Sequence, residues 1–535
     1  MPGPVIEEIV LASKHIVMLA AENGVLKGAK VGGIADVIRD VPRALAARGH
    51  RVTVLTPGYQ ALSKLPGARY QHSLTVEFGG ALETLELFRI DTPDEVPGVG
   101  HYVLEHPLFG ACGAGNVYCH DRYEPFATDA SKFALFCQAA SCALVAHAFG
   151  DVDVLHLHDW HAALVLLLRQ SHTAYQPLQR IPAVFTIHNL SLQGVRPFEH
   201  NLSSPGHWFR NLDYDPAPVA DPLYPDCINL MRTGINLADK VHVVSPTYAR
   251  EILLPSDPAS GLIRGEGLEQ DLRRVQQAGK LFGIINGCDY GAAKAAGSKP
   301  ARKPDRKAII AAATNALNHW VHGCDLIKAA HFHAQNRLLG WAQNKQRDAF
   351  IVGSVGRLTP QKVDLLRVET APGVSALDAL LQKLERGFMI MVGSGDADCE
   401  RFMCEVMQRH ENFLFLCGYS EELGELVYRF SDLFLMPSSF EPCGISQMLA
   451  MRAGTPPLVH KVGGLADTVQ HLHNGFTFEG NNRAAQAEDL LRVFEEVLQL
   501  RAGKASVWQG ICANAAAARF SWDVTVQDYE AQLYA

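Results

Sequence analysis

Residues 15–56 read HIVMLAAENGVLKGAKVGGIADVIRDVPRALAARGHRVTVLT, and the succession of patterns in this stretch sets the fold class. HIVMLA (15–20) and VTVLT (52–56) are short unbroken apolar runs, the mark of parallel strands buried on both faces. Between them IADVIRDVPRALAAR (34–48) carries apolar residues at helical spacing and is closed by Gly49. The order is strand, glycine turn, helix, strand, which opens a doubly wound α/β domain. VDVLHLH (152–158), AVFTIHN (183–189) and KVHVVS (240–245) continue it. Strands that finish in His, Asp or Asn put those side chains at the carboxyl edge of an open sheet, where such folds bind ligands.

A second series of strand-like runs starts with AFIVGSVGRL (349–358) and passes through FMIMVGSG (388–395), NFLFLCGY (412–419), LFLMPS (433–438) and PPLVHKVGG (456–464). KVGGLAD at 461–467 nearly repeats KVGGIAD at 30–36, which suggests two similar α/β domains, each with a glycine turn at the rim of a shared cleft. The chain of 535 residues exceeds what one core usually supports. The expected domains are residues 1–285 and 286–510, with 511–535 packing back on the first. The Ala, Lys and Pro rich stretch 291–307 reads as a connector, and 291–345 as a variable region. The helix-forming stretch that follows the connector belongs either to the second domain or to an insertion.

Composition narrows the function. Hydrophobic residues at 48% and charged residues at 19% describe an ordinary globular protein, and a net charge of -8 gives no reason to expect nucleic acid as partner. The 12 cysteines form neither a disulfide framework nor a metal tetrad, Cys112 and Cys119 included, so reduced thiols are expected and no metal site is assigned. Glu7 and Glu8 stand where a secretory signal needs positive charge, and no apolar run is long enough to span a membrane. The expected location is the cytoplasm, with no membrane partner. Homo-oligomerisation is left open.

Several residues have chemistry that suits a phosphorylated, polyhydroxylated ligand. Gly32 and Gly33 lie between a strand and a helix, where backbone amides can approach an anion, and Gly463 and Gly464 repeat the arrangement. Lys30 can meet phosphate, and Asp36 can either accept sugar hydroxyls or favour the helix start. Arg357 and Lys362 in GRLTPQK combine a rigid fork with a flexible ammonium at a sheet edge, a cradle for a diphosphate. In SFEPCGISQ, Glu441 can hold sugar hydroxyls while backbone at Gly444 receives phosphate. His158 and Asp159 end one strand and His188 another, and a neutral imidazole there can bond a sugar hydroxyl. Tyr419 can stack on a base. The first glycine turn lacks the G-x-G-x-x-G spacing of a dinucleotide oxidoreductase.

KVGGIADV, HLHDWHA, TIHNLSLQG, VVSPTYAREI, INGCD, GRLTPQK, GSGD, PSSFEPCGISQ and KVGGLADTV, in this order, resemble the bacterial glycogen synthase and plant starch synthase family. The resemblance implies two Rossmann-like domains of GT-B type facing a central cleft, with the first on the acceptor side and the second binding the nucleotide sugar. It implies a metal-independent, retaining transfer of glucose, usually from ADP-glucose, to the 4-hydroxyl at a non-reducing glucan end, without a cofactor. By the same resemblance, Lys30 and Gly33 approach donor phosphate and acceptor, with Asp36 in the same segment. His188 lies near the transferred glucose with Asp159 close by, and Asn286 stands beside the hinge. Arg357 and Lys362 clamp the diphosphate, Glu441 binds the donor glucose, Gly444 and Ile445 offer backbone to phosphate, and Tyr419 stacks on the base. Residues 195–235 and 291–345 depart from the family pattern, so a smaller acceptor, with ADP- or UDP-glucose as donor, is the alternative.

Overall fold

The structure is a computed structural model that describes residues 13–210, 212–290, 304–323, 327–343 and 349–535. Most of the connector, residues 291–303, lies outside the described residues.

The first half is built on a nine-stranded sheet. Its order is Leu281–Gly283, Lys240–Val243, Ala183–Ile187, Val154–His158, His15–Leu19, Arg51–Pro57, Val99–Glu105, Ala81–Ile90 and Ala68–Phe78. The first seven are parallel, and the last two join as an antiparallel hairpin at one edge. Alternation explains the unbroken apolar runs. Val17, Leu19, Leu155 and Leu157 enter a core on one face, while Ile16, Met18, Val52 and Val154 enter another on the opposite face.

The second half repeats the scheme with six parallel strands in the order Phe413–Cys417, Gly387–Gly393, Phe350–Val355, Leu433–Met436, Pro457–His460 and Phe476–Phe478. Met389 and Met391 face one core, Ile390 and Val392 the other. Helices Arg306–His322 and Ala329–Gln343 cover the second face, where Trp341 stacks on Phe388 with ring centroids 4.3 Å apart. This packing settles the status of that stretch: its helices are part of the second half.

Three expectations need correction. The two glycine turns are not topological equivalents. KVGGIAD follows the first strand of its half, whereas KVGGLAD follows Pro457–His460, the fifth of six in spatial order and next to the edge strand Phe476–Phe478. The counterpart of KVGGIAD by position is GRLTPQK. The helix Ala505–Ala517 packs with the second half through Trp508 and Ile511, so the segment that returns to the first half starts at Trp522, not at residue 511. Finally, Cys112 and Cys119 form a disulfide, because the turn between them brings their Cα atoms to 5.6 Å.

The returning segment is anchored by both packing and charge. Trp522, Val526, Tyr529 and Leu533 join the core that holds Ile16 and Ile38, and the Trp522 indole donates to Asp40 at 3.1 Å. Glu530 accepts from Arg48 at 2.7 Å and from His50 at 2.9 Å. Burial alone would raise the Glu530 carboxyl, but these donors outweigh it and hold the group below its ordinary value. Its contribution to stability is therefore present above the unfolded value and fades as pH falls through the folded one. We expect Glu530→Gln to lower stability by about 2 kcal/mol near pH 7, with the difference from wild type closing in acid. Urea unfolding at both pH values checks this, and equal loss at each would contradict the anchor.

Candidate functional site

Each sheet has one place where the chain reverses the direction in which it adds strands. In the first half, His15–Leu19 pairs with Arg51–Pro57 on one side and Val154–His158 on the other. In the second, Phe350–Val355 lies between Gly387–Gly393 and Leu433–Met436. The loops leaving two such neighbouring strands diverge, and a crevice opens between them. The first crevice is flanked by the KVGG turn and Asp159, the second by Arg357, Lys362 and Glu441.

The KVGG turn is held by a carboxylate that sequence reasoning missed. Glu22, almost fully buried, accepts the backbone N–H of Val31 at 3.0 Å and that of Gly32, and its other oxygen accepts the Tyr118 hydroxyl at 2.9 Å. The Gly32 amide is thus occupied within the first half. The signal for Glu22 was its place just beyond the first strand at the point of reversal. A side chain at Gly32 would meet Glu22 and come within 3.8 Å of the Arg357 guanidinium of the second half, so the two walls approach here. Gly33 starts the helix Gly33–Ala47, and no atom lies within 4 Å of where its Cβ would be. Lys30 and Asp36 pair with each other at 2.7 Å, and Asp36 also meets Arg39 at 3.0 Å.

Asp159 and His188 are joined directly. The Asp159 carboxylate accepts the His188 backbone N–H at 2.7 Å, and Asp159 has φ of 55°, a conformation that costs energy outside glycine. Burial pushes the Asp159 carboxyl up to about 8 against the pull of the His188 and Asn189 amides. Burial also drives His188, His158 and His156 well below the ordinary histidine value, so all three are neutral at pH 7. His158 is fully enclosed, and its Nδ1 lies 3.0 Å from His188 Nε2. It braces His188 from this enclosed position. Behind it, His156 and His242 share the Thr186 hydroxyl at 2.6 and 2.9 Å. Asn286 is buried where the chain first crosses between halves, and its side-chain oxygen has no hydrogen-bond partner among the described residues.

On the opposite wall, Lys362 forms a salt bridge with Glu441, whose carboxylate also accepts the Ser438 hydroxyl at 2.9 Å. The loop is fixed by Gln361, which donates to the Phe440 carbonyl at 2.9 Å and accepts the Ser439 N–H at 2.8 Å. Arg357 is exposed and makes no hydrogen bond or ion pair among the described residues. Gly444 adopts φ of 78° ahead of Ile445, which caps the short helix Ser446–Arg452. Tyr419 is 64% exposed, open to stacking. Gly463 and Gly464 serve another end. Their Cβ positions would collide with backbone of Glu441 and Cys443, the Gly464 N–H donates to the Glu441 carbonyl at 3.1 Å, and the Gly463 N–H donates to Glu251 of the first half at 3.0 Å. With Thr247 donating to Asp467 at 2.8 Å, the second glycine turn is a docking element between the halves and its amides are spent. Among the described residues no group of three or more His, Cys, Asp and Glu side chains is placed to hold a metal ion, and no helix is long and apolar enough to cross a membrane.

The raised Asp159 value gives a pH test. The folded chain binds a proton at Asp159 that the unfolded chain has released, so this group favours folding at low pH and that benefit is lost as pH rises towards 8. Asp159→Asn keeps an oxygen for the His188 amide, and we expect it to flatten the fall in stability between about pH 4 and 8. Urea midpoints across that range check this, and an unchanged slope would refute the assignment.

Comparison with known proteins agrees with this geometry. Residues 15–274 match the family described as the starch synthase catalytic domain, and residues 339–505 match glycosyl transferases group 1. The chain is 31% identical to a glycogen synthase of Streptococcus mutans over 540 residues, covering 96% of this chain and 98% of that protein. It is 34% identical to a glycogen synthase of Anaeromyxobacter sp. over 528 residues, covering 97% and 98%. The catalytic domain of starch synthase IV from Arabidopsis thaliana, solved bound to ADP and acarbose, superposes with a TM-score of 0.73 at 26% identity, covering 98% of this chain and 99% of that one. The paired α/β sheets are the GT-B arrangement, and the chain belongs to the glycogen synthase and starch synthase family of glucosyltransferases.

Proposed function

We propose that this glucan-synthesising glucosyltransferase moves glucose from ADP-glucose to the 4-hydroxyl at the non-reducing end of an α-1,4-glucan, with retention of configuration. The observation that carries the reading is the pair of crevices at the two points of chain reversal. One presents Arg357 and the Lys362–Glu441 pair, the other Asp159 with a neutral His188. The starch synthase IV neighbour was solved bound to ADP and acarbose, which supports a nucleotide and a saccharide as ligands of this fold.

Donor diphosphate competes with Glu441 for Lys362 and meets Arg357, whose side chain has no partner to give up among the described residues. As the bond from the sugar C1 to the diphosphate breaks, charge grows on the departing phosphate, and these two cations stabilise it. The acceptor O4 bonds to C1 on the face the diphosphate leaves, and its proton passes to a phosphate oxygen. Glu441, released from Lys362, takes sugar hydroxyls. His188 is neutral, so it offers one ring N–H or one lone pair to the glucose without adding charge, and the braced His158 fixes its orientation. Tyr419 is the stacking surface for the base, with the Gly444–Ile445 backbone beside the phosphates. A cytoplasmic setting, where nucleotide sugars are made, accords with this reading.

An assay of ADP-glucose and UDP-glucose against glycogen and maltooligosaccharides, resolved by product size, tests the proposal. Transfer only to small non-glucan acceptors would overturn it. Glu441→Gln is expected to lower kcat by about 10²–10³ with ADP affinity retained, and Arg357→Ala to lower kcat/KM by a similar factor; wild-type turnover in either removes that residue from the reaction. Because Arg357 and Lys362 meet the leaving charge, turnover is expected to persist in EDTA, and abolition by the chelator would count against them.

A further inference from the structure

The helices Arg306–His322 and Ala329–Gln343 lie in the stretch where the sequence departs from the family pattern, and the steps of glucose transfer give them no task. Their anchoring is apolar: Ile309, Leu317, Leu338 and Trp341 sink into the core on one face of the second sheet. Three polar side chains of the same region reach instead to the carboxyl ends of the strands. His331, 3% exposed, donates its Nε2–H to the Cys417 carbonyl at 3.0 Å. The Trp320 indole N–H donates to the Tyr419 carbonyl at 2.9 Å. Lys328 pairs at 2.7 Å with Glu400, whose other oxygen accepts the Gly395 N–H at 2.9 Å.

Two of these contacts converge on one turn. Cys417, Gly418 and Tyr419, where the edge strand Phe413–Cys417 ends, are each held, the outer two by their carbonyls and the middle one by packing. A Cβ on Gly418 would collide with the Trp320 indole, so glycine here makes room for a ring from another element. The Gly418 N–H donates to the Gly393 carbonyl at 3.2 Å, which ties the turn to the neighbouring strand as well. A tryptophan N–H taken out of water normally finds an acceptor, and this one has found the carbonyl of a residue whose own side chain faces solvent. A fixed backbone beneath an exposed aromatic ring is the build of a stacking platform. Little freedom is lost when a base settles on it, so more of the contact energy appears as affinity.

We infer that Trp320 is a positioning residue for the nucleotide: through the Tyr419 carbonyl and the face of Gly418 it holds Tyr419 where the base of the donor stacks. The inference rests on the reading of Tyr419 as the base-stacking residue. Trp320 acts on binding and not on the transfer step. Lys362 and Glu441 follow other strands and hold each other, so the reacting end of the donor does not depend on the indole. A region outside the family pattern thus sets part of the affinity for the nucleotide.

The test is calorimetric titration of ADP onto the full chain in wild type, Trp320→Phe, Trp320→Ala, Tyr419→Ala and the double variant that joins Trp320→Phe to Tyr419→Ala. Trp320→Phe is the conservative change, keeping a ring against Gly418 and removing only the N–H donor. The ADP Kd is expected to rise about threefold in Trp320→Phe and about tenfold in Trp320→Ala, the scale of one or two lost contacts. The kcat at saturating ADP-glucose and the KM for glycogen are expected to stay within about twofold of wild type, a split that general loosening of the fold would not give. In the double variant, Trp320→Phe is expected to add nothing to the loss caused by Tyr419→Ala, as for a residue that acts through another. Wild-type ADP affinity in both Trp320 variants, with Tyr419→Ala weakened, overturns the inference and leaves the stacking reading in place. An equal loss from Trp320→Phe with and without Tyr419 also overturns it. Wild-type ADP affinity in Tyr419→Ala removes the stacking reading and the inference with it.

Discussion

The constraint on which the rest depends is the burial of parallel strands on both faces. A strand such as His15–Leu19 sends alternate side chains into two separate cores, so nothing along its length is free to do chemistry. Polar groups can stand only beyond the strand ends. Where the chain reverses its direction of strand addition, the loops part and leave a gap. Both halves of this protein have that reversal beside their first strand, and each places its most reactive side chains there. The cleft is therefore a product of topology, and the residues in it are held by rigid strands more than by their own loops.

Within that frame the two walls use opposite electrostatic means. The first wall is desolvated. Its histidines are neutral and Asp159 holds its proton up to about pH 8, so this wall offers hydrogen bonds of fixed direction and little charge. The second wall is ionic and only partly enclosed, with Lys362 bound to Glu441 and Arg357 facing the gap. In the proposed reaction an anionic donor is drawn to the second wall, while the first reads hydroxyls. In that reaction the separation would let a leaving group gather charge on one side without disturbing the sugar-facing groups on the other.

The parallel strands were legible because an apolar run bounded by glycine or polar residues has few other readings. The hairpin Ala68–Phe78 and Ala81–Ile90 was not, since its outer strand mixes exposed polar and buried apolar residues at a sheet edge. Arg357, Lys362 and Glu441 drew attention as candidates because charged residues soon after buried strands stand out, and the structure places Lys362 against Glu441. Glu22 could not be assigned a role, since its partners are backbone amides nine and ten residues on and a tyrosine far along the chain. The second glycine turn misled for a related reason. Gly463 and Gly464 are small because Glu441 and Cys443 backbone crowds them, and a sequence does not reveal whether a glycine makes room for a ligand or for the chain itself.

The return of Trp522 to Leu533 onto the first half has a bearing on how the chain is made. The strands of that half are complete once Gly283 has emerged, but one face of their sheet still lacks the aromatic cover that the last residues bring. Between the two events the ribosome must add roughly 240 residues, a delay on the order of 10–50 s at ordinary elongation rates. During that interval an apolar strip beside Ile16 and Ile38 faces the cell, so the nascent chain has reason to need a chaperone there.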